Sequence, residues 1–514
     1  MSTRLTYTSG ASSPEADAAF ETALAAARGA PAGPLPHVVG GEPSFDGPAF
    51  ERRDPSRSEH VASRAHEAPA ALVAEAVERA RAAQPGWRRT SVAERCAALR
   101  RAGAAIAERH MEMAAAVTLE TGKSRTESIA EVQEAVDLIE AYCEQIERHR
   151  GFEVELGQLT AEETNRSVLR PFGVFGVIGP FNFPVALVTG MASGALVAGN
   201  TVVLKPSEQT PLSGALVGEA FAAAGLPDGV VGLVHGGPDS GWALAEGPID
   251  GVVFTGSAEV GRALGRRFQE GRYARPAITE MGGKNPAIVS DSADLDAAAA
   301  GIAASAYGFS GQKCSACSRA IVLDSVHDDL VERLAARATE LVVGDPADRD
   351  AFTGPVIDEA AVERYVAACE EAARDGIVAA GGRELDLPGH FVAPAVVTGV
   401  PAGHRLTRDE LFVPLVTVTR AGSFDEALAE ANAIDYGLTA GVFSTDEAEL
   451  DRFLDEIEAG VVYVNRRAGA TTGAWPGFQS FCGWKSSGST GKGGLGPYYV
   501  QQFMREQSRT VVRP

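Results

Sequence analysis

The chain has 514 residues, 45% hydrophobic and 22% charged, enough for two or three domains of an ordinary globular protein. A formal net charge of −22 argues against nucleic acid or an anionic membrane as partner, because both need a basic face. Six cysteines are too few for a disulfide framework at this size and point to a reducing cytoplasm.

In chain order, the N-terminal MSTRLTYTSGASSPEADAAFETALAAARGA carries acids where a secretory leader would need an apolar run. Residues 70–150 place apolar positions at helical spacing, as in ALVAEAVERARAAQPGW and ERCAALRRAGAAIAERHMEMAAAV, and predict amphipathic helices. RGFEVELGQLTAEETNRSVLRP has strand-like halves around a polar middle and predicts a protruding hairpin. From Pro171 to Leu204 no residue is charged, a run long enough to cross a bilayer. Its six glycines, with Pro180, Pro184, Asn182 and Asn200, rule out a continuous lipid-facing helix. The run reads as strand, small-residue helix and strand inside an α/β core.

Four strands, GVFGVIG, TVVLKP, VVGLVHG and GVVFTG, are set among helices such as SGALVGEAFAAAG and EVGRALGRRFQEG, which implies a mostly parallel sheet covered on both faces. A second series follows: PAIVSD, DLDAAAAGIAASAYGF, SRAIVLDSV, HDDLVERLAARATELVVG, YGLTAGVFS and GVVYVNR. No Pro/Ser linker separates the series, so the two units are expected in intimate contact. The chain closes on a strand-like RTVV, of the kind that often finds its partner in another subunit.

FSGQKCSACSR holds a C-x-x-C pair, Cys314 and Cys317. A zinc centre would need a second such pair or nearby histidines, and neither is present in sequence. A thioredoxin-like dithiol would open a helix after a strand, whereas this pair follows a helix and precedes a strand. A single reactive thiol is left, which needs a proton acceptor; Glu280 in ITEMGGKNP is the most distinctive nearby acid, although a lone glutamate is usually a solvated loop residue. VLKPSEQTP puts Lys205 and Glu208 at a strand's carboxyl end, where open α/β sheets bind nucleotides. FTGSAEVG places Gly256, Ser257 and Gly261 at a strand-to-helix turn that a pyrophosphate can approach. Glu208 could accept from a ribose 2′-hydroxyl and would repel a 2′-phosphate, which favours NAD over NADP. Only six of the 46 basic residues are lysines, yet Lys205, Lys284, Lys313 and Lys485 fall within these motifs. The arginine bias fits either GC-rich coding or a salt-adapted surface.

Taken in order from about residue 50, PFNFP, VLKPSEQTP, FTGS, TEMGGKNP, GQKCSACSR, ELFVPLVTV, YGLTAGVFS and CGWKSSG resemble the aldehyde dehydrogenase superfamily. The resemblance implies an α/β fold in three parts. These are a Rossmann-type NAD-binding domain (1–147 and 169–278), an α/β catalytic domain (279–487), and an oligomerisation flap formed by a β-hairpin (148–168) with the terminal segment (488–514). It implies Cys314 as nucleophile, Glu280 as general base and Asn182 as oxyanion donor. Lys205, Glu208, Gly256 and Ser257 would meet the dinucleotide, Glu410 the nicotinamide ribose, and Phe412 the nicotinamide side.

RRAGATTGAWPGFQSFCGWKSSGSTGKGG resembles the branch that oxidises glutamate γ-semialdehyde, the 1-pyrroline-5-carboxylate dehydrogenases. In that branch a T-G-[AS] loop holds the substrate's α-carboxylate and amine through backbone groups, and Thr472, Gly473 and Ala474 match it. Ser315 matches a residue that helps hold the carboxylate, and Phe481 an aromatic wall. Glycine is what lets backbone N–H groups approach a carboxylate closely. Two departures stand out. Cys482 occupies a position usually held by glycine, where it could perturb the loop or bring a second thiol near the site, and Phe181 replaces the usual Trp before the oxyanion asparagine. The resemblance implies a small semialdehyde substrate and a homodimer or larger homo-oligomer; no metal is expected, the compartment is read as cytoplasmic, and no fused proline-oxidising partner is expected, since the chain ends soon after this domain. Succinate or 2-oxoglutarate semialdehyde is the alternative, since Arg466 and Arg467 could clamp a distal carboxylate. A cofactor-independent thiol esterase is the alternative from another class.

Overall fold

The computed structural model describes residues 6–7, 13–29 and 31–513, so the N-terminal stretch weighed above as a leader lies partly outside the described residues. After the helix Pro14–Gly29, the strands Ala32–Leu35, Arg57–His66 and Ala49–Asp54 form a small sheet in that order. Four helices follow, Ala70–Trp87, Val92–Glu108, His110–Thr121 and Arg125–Arg148, as the periodicity predicts. Ser91 opens the second of them with a capping box, its hydroxyl accepting from Glu94 N–H while Glu94 reaches back to Ser91 N–H.

The first large sheet has seven strands in the order Ala277–Glu280, Gly251–Thr255, Val174–Ile178, Thr201–Lys205, Val231–Leu233, His37–Val39 and Glu42–Ser44. The first five are parallel, and the last two pair antiparallel. Alternation along each strand splits the core. Phe175, Val177, Val202 and Leu204 face the Arg125–Arg148, Ala186–Val197 and Pro211–Ala223 side. Val174, Ile178, Val203, Val252 and Phe254 face the Ala70–Trp87, Pro238–Glu246 and Ala258–Gln269 side. The uncharged run is thus two buried strands and a helix buried almost all round. A Cβ at Gly194 would press on Phe503 and Tyr499 at 2.8 and 2.9 Å, so that helix needs glycine to pack there. No helix among the described residues is long and apolar enough to cross a membrane.

The second large sheet runs Ile377–Ala380, Ala395–Thr398, Leu415–Ala421, Cys317–Leu323, Asn285–Val289, Thr439–Phe443 and Val461–Val464. Only the first pairs antiparallel. The two sheets follow one another with almost no connection, and the domain boundary expected at 278/279 falls inside the strand Ala277–Glu280.

Glu153–Glu155 and Glu163–Pro171 form the expected hairpin. The terminal strand departs from expectation: Met504–Val512 pairs antiparallel with Glu163–Pro171 of the same chain, from Met504 opposite Pro171 to Val512 opposite Glu163. Its complementary edge is therefore supplied by its own hairpin, and the sheet's outer strands remain edges among the described residues.

Candidate active site

In the first sheet the chain runs outward from Val174–Ile178 on one side and returns to place Gly251–Thr255 on the other. The crevice at such a switch point, beyond the carboxyl ends of the strands, is where open α/β sheets take ligands. The second sheet presents the opposite polarity: the segments leading into the amino ends of Cys317–Leu323, Asn285–Val289 and Leu415–Ala421 carry Cys314, Gly282–Lys284 and Glu410–Phe412. Two cavities, each about 500 Å³, occupy the junction, and Cys314 lines both.

The Cys314 loop is built from strained backbone. The helix Leu295–Tyr307 ends in Phe309, Ser310 and Gly311, all left-handed at φ 51°, 52° and 69°. Ser310 holds this geometry by donating its N–H to Thr353 Oγ1 at 2.7 Å and its hydroxyl to Gly354 O at 2.6 Å. A Cβ at Gly311 would stand 2.4 Å from Val413 O, so the chain passes there only as glycine. Asn285 clamps the far side, its Nδ2 donating to Cys314 O at 2.7 Å and Ala316 O at 2.9 Å. Cys317 turns inward as a buried packing residue with its thiol on Arg319 O.

Glu280 ends its strand with its side chain in the first cavity, where Gly494 N–H donates to Oε1 at 2.7 Å. Burial pushes its carboxyl up to about 7 against that hydrogen bond. Burial also pushes the Cys314 thiol up to about 12, reinforced by the charges of Glu410 and Glu280. Asn182 is buried in the wall of the second cavity and donates from Nδ2 to Gln312 O at 3.0 Å, leaving its other N–H for a second acceptor. Its backbone carbonyl accepts from Lys123 Nζ at 2.5 Å, and Lys123 pairs with Glu131, both fully buried. Glu131 in turn accepts the N–H groups of Val185 and Ala186, at the start of the following helix.

The second cavity collects Lys205, Glu208, Gly256, Ser257, Glu410 and Phe412, together with Phe181, whose ring meets that of Phe412 edge-on at 5.9 Å. Lys205 and Glu208 stand 3.6 Å apart, and Ser257 caps the helix Ala258–Gln269. Gly256 has no room for a side chain, since a Cβ would meet the Phe254 ring at 2.4 Å, which leaves the strand-to-helix turn bare. This set fits a dinucleotide: helix N–H groups for a pyrophosphate, a lysine and a carboxylate for ribose hydroxyls. The glycine pair of EMGGKN has a specific purpose. A Cβ at Gly282 would overlap the Glu410 carboxylate at 1.8 Å, and Gly283 N–H donates to that carboxylate at 3.0 Å. Burial pushes Glu410 up to about 7 against that bond and Lys284. Lys284 itself lines neither large cavity; it is buried, and burial and Arg319 bring it down to about 7.

The first cavity collects Ser315, Thr472, Gly473, Ala474 and Phe481. Thr471 ties this loop to the thiol loop, donating from Oγ1 to Ser315 O at 2.7 Å, and Ser305 Oγ accepts its N–H at 3.1 Å. Gly473 has φ +120°, and a Cβ there would meet the Arg466 guanidinium at 2.1 Å. Arg466 therefore lies behind the loop, stacked over Tyr463, and it lines neither cavity. Cys482 also stays out of both cavities; its thiol sits on Gly460 O at 3.2 Å, against a position where a Cβ would collide with Cys482 O at 1.8 Å. The loop absorbs the extra side chain against that glycine.

The fourteen residues given a role by the resemblance each line one of the two cavities, whereas Gly261, Arg466 and Arg467, also singled out from sequence, line neither. Sequence reasoning missed Tyr7, Glu127, Glu134 and the role of Lys313, which line the first cavity, and Asn285 beneath it. Lys313 pairs with Glu127. Lys313 directly precedes the thiol in GQKCS and could have been read; the helix acids of Arg125–Arg148 carry no local signal.

The sequence pattern of the aldehyde dehydrogenase family matches residues 44–509. A 1-pyrroline-5-carboxylate dehydrogenase of Geobacillus sp. (strain WCH70) is 37% identical over 500 residues, covering 96% of this chain and 95% of that protein. Among solved structures, 1-pyrroline-5-carboxylate dehydrogenase from Thermus with bound NAD superimposes with a TM-score of 0.94 at 36% identity, with 98% of both chains covered. Proline utilization A from Bdellovibrio bacteriovorus gives a TM-score of 0.93 at 33% identity, covering 97% of this chain; this chain spans about half, 52%, of that longer protein.

Proposed function

This chain belongs to the aldehyde dehydrogenase family, and we propose that it oxidises L-glutamate γ-semialdehyde, the open form of 1-pyrroline-5-carboxylate, to L-glutamate, a step of proline catabolism. The observation that carries the substrate choice is the end wall of the first cavity. There the bare backbone of Thr472–Ala474 stands with Ser315, and the acids Glu127 and Glu134 line the same chamber. Backbone N–H groups suit an α-carboxylate, and the carboxylates suit an α-ammonium. Arg466, behind the loop, is out of reach as a clamp for a dicarboxylic semialdehyde, and the chamber's own cations are already paired, Lys313 with Glu127 and Arg349 with Asp17 and Glu21.

In this reading the Cys314 thiol first loses its proton to solvent, and the resulting thiolate attacks the aldehyde carbon. The oxyanion is met by the free Asn182 N–H and a backbone N–H. NAD, held by Lys205, Glu208, Gly256, Ser257, Glu410 and Phe412, supplies the hydride acceptor, and a Cys314 thioester is left. Glu280 takes a proton from water as the water adds to the thioester carbon, and the thiolate leaves. A nucleotide-sized second cavity sharing Cys314 supports this over a cofactor-free esterase.

We further infer a cytoplasmic enzyme that works as at least a homodimer. Exposed Val154, Leu156, Leu159, Val511 and Val512 on the hairpin sheet support contact with a second copy. Light scattering at micromolar concentration tests this, and a monomer refutes it. For the reaction, NADH absorbance is followed with 1-pyrroline-5-carboxylate and with succinate semialdehyde. Preference for the latter refutes the substrate, and NADH formation that survives Cys314→Ala refutes the nucleophile.

A further inference from the structure

Tyr7 lies far outside the segment that matches the family pattern, yet it lines the first cavity. Its hydroxyl donates to Glu134 Oε2 of the Arg125–Arg148 helix, 127 positions away. Its ring stands edge-on to Phe183 at 5.7 Å and to Trp475 at 5.4 Å, and Lys313 Nζ lies 5.8 Å from its centroid. Trp475 directly follows Ala474 of the substrate loop, and its indole N–H donates to Asp137 at 2.8 Å. Downstream of Tyr7 the helix Pro14–Gly29 is pinned by ion pairs from Arg125 to Asp17 and Glu21, and from Arg349, itself a cavity residue, to the same two acids. Tyr7 and the helix Pro14–Gly29 are thus each tied to residues that line the substrate chamber.

We propose that Tyr7 is a specificity-determining residue, closing the flank of the chamber between the helix acids and the substrate loop. Two effects act together. The phenol hydrogen bond occupies one oxygen of Glu134 and fixes the orientation of the other toward the chamber. The ring, wedged between Phe183 and Trp475, holds the substrate loop from the side opposite Arg466 and keeps water from the acids. This inference rests on the reading of the substrate as an amino-acid semialdehyde. It assigns to this chain a recognition element outside residues 44–509, the span that the family pattern matches.

The experiment uses the full chain with NAD, comparing glutamate γ-semialdehyde with propanal, which lacks both the α-carboxylate and the amine. In Tyr7→Phe, the ratio of kcat/KM for the semialdehyde to that for propanal is expected to fall about 3- to 10-fold, the range of one hydrogen bond. The fall should be carried by KM for the semialdehyde. In Tyr7→Ala, which also opens the aromatic wedge, the ratio should fall further. An unchanged ratio in both variants overturns the proposal, as does an equal loss on both aldehydes, the signature of a merely structural role. If the parent enzyme itself discriminates against glutamate semialdehyde, the substrate reading fails independently of Tyr7.

Discussion

Glutamate to glutamine at position 280 separates the two chemical halves of the proposed reaction. The Glu280 carboxyl is pushed up to about 7 by burial, with only Gly494 N–H opposing. A group of that pKa is about 10% ionised at pH 6, about half at pH 7 and about 90% at pH 8. If deacylation limits turnover, kcat of the parent enzyme should rise about ninefold between pH 6 and pH 8, with its midpoint near 7. Glu280→Gln keeps the size and an acceptor for Gly494 but cannot take a proton from water, and general-base losses run to about 10²–10⁴-fold. Stopped-flow absorbance should then show a burst of NADH approaching one per site, followed by a steady rate that has lost its step near pH 7. A steady rate in Glu280→Gln within a few-fold of the parent, or one that retains the parent's pH step, would refute the assignment of Glu280 as the hydrolytic base.

Three further outcomes are expected. Glu208→Ser, which removes the carboxylate beside Lys205, should improve the NADP to NAD ratio of kcat/KM about fivefold, roughly 1 kcal/mol for one partly screened charge, and no change would deny Glu208 contact with the ribose. Gly473→Ala forces a side chain onto a φ of +120° and against Arg466, and strain of about 1–3 kcal/mol should raise KM for the semialdehyde roughly 5- to 150-fold; an unaltered KM would dismiss this loop as the anchor. Lys123→Met strands the buried Glu131 and should cost about 3–5 kcal/mol, seen calorimetrically as a lowered Tm, whereas an unchanged Tm contradicts the pairing. Lys123→Met combined with Glu131→Gln should recover much of that loss, since no buried charge is then left alone.

Four strands of each large sheet were legible because they are mostly apolar and stand among amphipathic or small-residue helices, so period and composition agree; Ile377–Ala380, Ala395–Thr398 and Leu415–Ala421 were not read as strands. The N-terminal three-stranded sheet escaped notice for the opposite reason. Ala49–Asp54 turns Arg52 and Asp54 inward, so its buried face reads as charge. Arg52 is satisfied there by the Glu120 carbonyl and Gln209, partners that lie 68 and 157 positions away. The fourteen residues to which the ordered motifs gave a role all line a cavity, while Gly261, Arg466 and Arg467 do not. The residues that support the site were not legible. Asn285 beneath the thiol and Glu131 behind Asn182 act by hydrogen bonds to backbone atoms, and such contacts leave no side-chain pattern to read. The terminal strand was expected to leave its own chain because strand propensity says nothing about which edge lies within reach.

A thiol shared by two chambers has a consequence for traffic. In the proposed reaction an acyl group on Cys314 would take up the substrate side, whereas Lys205, Glu208 and Ser257 line only the nucleotide side. The occupant of one side can be exchanged while the other is still committed.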